Sequence, residues 1–184
     1  MAAVLLAAVP DSRAQPLDDD PALDRIVALV TERLDTADAV AAAKWATAAQ
    51  NGGRPSIDDP EREAHVYDAM ARLGADRGLS ESWIHQVFYG QIEANKIVQR
   101  GLVTRWLFDP AAAPSTPPEL ASVRPVIDRV NVEIVDQLAL RRAELSGPNC
   151  AVRLASPVFG MLTAGRDALH QAALVRAAAA LCGP

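Results

Sequence analysis

Arg33 and Lys44 stand eleven residues apart, close to three turns of an α-helix, so they project from nearly the same face. Two long cations aimed into one groove could clamp a ligand that carries two anionic groups. A single Lys or Arg is usually a solvated surface charge, so the pairing is the observation. Further on, Gln91, Asn95 and Gln99 follow one another at i, i+4 and i+8. That row shares a side with Phe88, Leu102 and Trp106, which turns the amides inward, where they need hydrogen-bond partners. Amides bonded to neighbouring helices, or lying at the edge of the apolar face, would give the same pattern. Arg62 and Glu63 fall in the first turn of a separate helical segment and read readily as surface residues. A cation at that position opposes the helix macrodipole. Arg62 therefore adds nothing to helix stability, and a ligand role gains weight.

The familiar catalytic templates fail. No Glu-x-x-His pair suits a di-iron bundle, and His65, His85 and His170 are far apart. There is no His-Glu-x-x-His motif, no glycine-rich phosphate loop and nothing resembling a nucleophile elbow. The net charge of -5 gives no basic footprint for nucleic acid. An anionic ligand must then be held by a local cluster of cations.

The elements that carry these residues read as helices throughout. Half of the 184 residues are hydrophobic, yet only 4% are aromatic, and alanine dominates the apolar set. That composition favours close-packed helices over sheets. Asp20-Pro21 starts a first helix, predicted over 21–50, with Leu23, Ile26, Val27, Val30 and Leu34 at helical spacing. Asn51-Gly52-Gly53-Arg54-Pro55 breaks it. Asp59-Pro60 opens a second helix that ends between Gly74 and Gly78. Ser80 caps a long third helix, stopped by Asp109-Pro110. Thr116-Pro117-Pro118-Glu119 reads as a capping box that opens a fourth helix running to about Leu145. Beyond Gly147-Pro148, one interrupted helix or two short ones end at Leu181. The expected fold class is all-α, one domain of long helices packed side by side.

Met1 to Pro10 read MAAVLLAAVP, followed by Asp11-Ser12-Arg13-Ala14, which resembles the apolar part of a secretory signal with cleavage after Ala14. Residues 1–14 are thus expected to be a targeting remnant. Residues 15–184 form the domain, with a core over 21–145 and a helical extension over 148–184. No other stretch is long and apolar enough to cross a membrane. The two cysteines, Cys150 and Cys182, fit two buried free thiols as well as a disulfide on their number alone. Export, to a periplasm or beyond the cell, favours the disulfide.

In their order and spacing these residues resemble the all-helical (AroQ-class) chorismate mutases, in the exported gamma branch. The resemblance rests on Arg33-Leu34-Asp35 with Ala42-Ala43-Lys44-Trp45, on Asp59-Pro60-Glu61-Arg62-Glu63, and on Gln91-Ile92-Glu93-Ala94-Asn95-Lys96 through Gln99. Arg124 ahead of Ile127-Asp128 and the cysteine pair fit the same branch. The resemblance implies a chorismate mutase II-like fold and rearrangement of chorismate to prephenate without metal, cofactor or covalent intermediate. By the same resemblance, Arg33, Arg62 and Arg124 bind the two substrate carboxylates, as planar guanidinium forks can. Lys44 and Gln99 donate to the ether oxygen of the breaking bond. Glu63 accepts from the ring hydroxyl beside the Asp59 backbone, and Asn95 helps hold a carboxylate or position its neighbours. Lys96 matches the family motif, but its helical position makes it structural. A homodimer with each site inside one chain is also implied. A contrasting expectation is an exported helical carboxylate-binding or effector protein without turnover.

Overall fold

The structure, a computed structural model, describes residues 21–183. The expected signal remnant and the Asp20 cap lie outside them. Seven α-helices are present among the described residues: α1 (Pro21–Gln50), α2 (Pro60–Asp76), α3 (Glu81–Phe108), α4 (Leu120–Leu140), α5 (Arg142–Leu145), α6 (Cys150–Thr163) and α7 (Ala168–Ala178). They contain no strand.

The long α1 is the axis of the molecule. Leu23, Ile26, Val27, Leu29, Val30 and Ala37 are fully buried along it, wrapped by α3, α4, α6 and α7. A helix apolar on most of its circumference must sit inside the bundle, since no single flank could cover it. α2 lies against α3 and α4, and α7 runs along α3. Two glycines allow that last approach. A Cβ at Gly90 would meet the Ala180 Cβ at 2.3 Å, and one at Gly101 would meet the Leu169 side chain at 2.5 Å.

The caps follow the sequence closely in the first half. Asp59 accepts from the Arg62 amide at 3.1 Å with Pro60 at the first helical position, and Ser80 accepts from the Trp83 amide. Such a cap is worth about 1 kcal/mol. The second helix ends at Asp76, with Gly78 at φ 71° turning the chain towards α3.

The fourth helix departs from expectation at both ends. It starts at Leu120 rather than beside Thr116, with Glu119 extended at the cap position and no side-chain cap bond. The cause is Pro118, whose ring acts on the conformation of Pro117 before it. With Thr116 as the cap, Pro117 would have to be the first helical residue, the conformation that Pro118 disfavours. At the other end α4 stops at Leu140, the chain bends at Arg141, and α5 carries the fully buried Leu145 under the C-terminal tail. There the Leu145 carbonyl accepts from the Gly183 amide at 2.8 Å. The last segment is two helices, α6 and α7, separated at Gly165 with φ 82°. Cys150 and Cys182 form a disulfide with Cα atoms 5.8 Å apart, which ties the start of α6 to the tail.

Candidate active site

All eight residues expected to hold substrate line one cavity between α1, α2, α3 and α4. Arg33 and Lys44 come from α1, Asp59, Arg62 and Glu63 from the start of α2, Asn95 and Gln99 from α3, and Arg124 from α4. Val40, Ile57, Val66, Ile92, Leu120 and Ile127 supply apolar wall between them. The cavity holds about 680 Å³ of space free of protein atoms, part of it open to solvent. That size and this mixture of apolar wall with a few polar groups suit a small organic ligand.

The segment 51–59 between α1 and α2 is not helical, so the start of α2 swings back over the cavity. Ile57 fixes this strap. Its side chain packs on a cluster containing Ala41, Ala42, Val103 and Trp106, and its carbonyl accepts from the Lys44 ammonium. An ammonium has three donors, so two remain for a ligand. Burial lowers the Lys44 pKa, opposed by Asp59, Asp58 and Glu63 at longer range.

Arg33 is the most enclosed cation, with 5% of its surface exposed. Its Nε donates to the Asn131 Oδ1 at 2.8 Å and its Nη1 to the Gln91 carbonyl at 3.0 Å. Burial lowers its pKa to about 10. Arg33, Lys44 and Arg124 have no carboxylate within salt-bridge distance among the described residues. Arg62 does, pairing with Asp128 of α4. Arg124 is exposed and stands at the rim.

Lys96 works within the protein. Its ammonium lies 2.7 Å from Glu63, 3.1 Å from Glu93 and 3.1 Å from Asp58. Burial opposes its charge, but hydrogen bonds to these three carboxylates outweigh it and raise the pKa. Glu63 also accepts from the Asp59 amide at 3.3 Å. The Glu63 carboxylate is thereby fixed at the cavity wall.

A family model, chorismate mutase type II, matches residues 23–100. A secreted chorismate mutase of Mycolicibacterium smegmatis is 36% identical over 166 residues, covering 90% of this chain and 88% of that protein. The chain belongs to the chorismate mutase type II family. A secreted chorismate mutase of Mycobacterium tuberculosis is 31% identical over 169 residues, covering 90% and 80% of the two chains. The crystal structure of a chorismate mutase from Burkholderia thailandensis superposes with a TM-score of 0.80 at 31% identity, covering 89% of this chain and all of that one.

Within this chorismate mutase fold, the amide row of α3 divides. Gln91 donates to the Ala177 carbonyl of α7 at 3.1 Å and serves packing between helices. Asn95 and Gln99 face the cavity. Gln99 donates its NH2 to the Asn95 Oδ1 at 2.6 Å, Asn95 donates to the Thr36 hydroxyl at 3.4 Å, and the buried Gln99 Oε1 has no partner. Turning both carboxamides by half a turn keeps the bond between them with donor and acceptor exchanged. It gives up the long Asn95–Thr36 bond, because the Thr36 hydroxyl hydrogen goes to the Arg33 carbonyl at 2.7 Å. The Gln99 NH2 then occupies the unpartnered position, free for a ligand acceptor.

Asn131 is a residue the sequence reading passed over. It is 1% exposed on α4, between Ile127 and Ile134 on the inward row. The criterion that singled out Gln91, Asn95 and Gln99, a polar residue on an apolar face, would have found it.

Proposed function

We propose that this chain converts chorismate to prephenate in a single pericyclic step. The carrying observation is that three cations without carboxylate partners, one of them deeply buried, converge with two amides and a fixed carboxylate on one cavity. A charge desolvated as deeply as that of Arg33 is costly unless an anion completes it. Chorismate carries two carboxylates, a ring hydroxyl and an ether oxygen.

In the reaction the ether C–O bond breaks as a new C–C bond forms, within one molecule and with no proton or electron exchanged. The protein must hold a compact chair-like conformer and stabilise negative charge developing on the ether oxygen. Arg33, Arg62 and Arg124 seat the carboxylates, Asn95 assists one of them, and Glu63 beside Asp59 accepts from the hydroxyl; this supplies orientation. Lys44 and Gln99 donate to the ether oxygen, and a well-placed donor of this kind is worth about 3–4 kcal/mol.

The names of the relatives and the disulfide support export of the mature chain. A site lined wholly by one chain fits a homodimer whose two sites are each complete, which light scattering tests.

Loss of chorismate absorbance with purified protein tests the reaction. Turnover is expected, and Lys44→Ala should reduce it by at least about a hundredfold, since Lys44 is the charged donor to the ether oxygen. Binding of chorismate without turnover would replace this reading with a carboxylate-binding role. Near-normal turnover in Lys44→Ala would overturn the mechanism.

A further inference from the structure

Outside the cavity, several cations of this chain are paired with anions. Arg77 meets Asp136, Arg129 meets Glu32 and Glu133, and Arg166 meets Asp35. These are the exposed faces, where an ion pair contributes little. Arg33, where desolvation is severe, receives the opposite treatment. Both of its protein acceptors are neutral, one an amide oxygen and the other a peptide carbonyl. Arginine can only donate, so the Asn131 atom facing Nε must be the oxygen. Aspartate has almost the same shape and would place a counter-ion there. For stability alone a carboxylate would be the better neighbour of a buried guanidinium.

We infer that Asn131 is a positioning residue that aims the Arg33 guanidinium into the cavity while leaving its charge for a substrate carboxylate. This rests on the reading of the cavity as a chorismate site. Asn131 does not line the cavity. It acts by fixing Nε, and the Gln91 carbonyl fixes one Nη1 hydrogen, which leaves the Nη2 hydrogens without a protein acceptor among the described residues. A neutral acceptor orients the fork without competing for it. A carboxylate at position 131 would orient it equally well and would compete.

The test compares Asn131→Asp with Asn131→Ala in the full chain, measuring thermal midpoint, KM and kcat. The aspartate variant should melt at or above the parent and show KM for chorismate raised roughly tenfold or more, because the guanidinium is already compensated. Its kcat should change less than its KM. The alanine variant should melt below the parent, with KM raised less than in the aspartate variant. A purely structural Asn131 predicts KM following stability, with the aspartate variant the milder of the two. That order, or a parent-like KM in Asn131→Asp, overturns the inference. Failure of Asn131→Asp to fold also overturns it, since a carboxylate facing a lone buried cation should stabilise. An active parent with either result leaves the functional reading intact. A parent that neither turns over nor binds chorismate removes both.

Discussion

Gln99 and Lys44 differ in how they respond to pH, and that difference is measurable. An amide donates at every pH. The Lys44 ammonium donates only while protonated, and burial lowers its pKa. Activity that needs the charged form is present below that pKa and is lost as pH rises through it. The rate–pH profile should therefore be nearly flat from about pH 5.5 to 8.5, with the alkaline fall earlier than an ordinary lysine would give. Gln99→Glu should convert this into a profile favouring acid, because a carboxyl donates a hydrogen bond only when protonated. An unchanged profile in Gln99→Glu would show that the ether oxygen does not depend on this side chain. These residues were legible in sequence because each breaks an apolar helical row or repeats at helical spacing. The Lys96 cage was not, since Asp58 and Glu63 reach it from another element and no spacing within α3 announces them. Asn131 was missed for want of the same scan on α4.

At the level of elements, helix starts with an Asp-Pro or Ser signal were readable because the cap is a local hydrogen bond. The start of α4 was misread because Thr116 to Glu119 matches a cap by residue type while its Pro-Pro pair disfavours the geometry. How α7 docks on α1 could not be read at all, as its contacts join residues more than a hundred positions apart. Arg166 pairs with Asp35, and His170 bridges Asp167, the α7 cap, and Asp38 of α1 at 2.8 and 2.9 Å. Burial opposes protonation of His170, yet the bonds to Asp167 and Asp38 prevail and raise its pKa. Its contribution is therefore complete below the unfolded value near 6.5 and fades as pH rises through the folded one. His170→Gln should lower the thermal midpoint clearly at about pH 5.5 and little at about pH 8.5. An equal loss at both values would mean that only packing is involved.

Across the whole molecule, the residues of the cavity fall between Arg33 and Ile127, whereas the bridge closes a segment from Cys150 to Cys182. Helix packing supplies one and a covalent link secures the other. Reduction should cost roughly 3–4 kcal/mol by the chain-entropy relation, lowering the thermal midpoint while leaving KM and kcat near their oxidised values below the transition. A reduced chain that loses activity while still folded would show that the C-terminal helices set the cavity's shape. The all-α class and the run of long helices were plain from composition and periodicity. The bend at Arg141 was not, because it answers to Leu145 and the distant tail.

The bridge also bears on how the chain matures. With two cysteines there is a single intramolecular pairing. No scrambled isomer exists to be reshuffled, so an oxidant is sufficient and a disulfide isomerase has nothing to correct. The competing product is a covalent link between two chains, and its yield should rise with protein concentration during oxidation, as for any bimolecular side reaction. Dilute oxidation after folding should give one monomeric disulfide species.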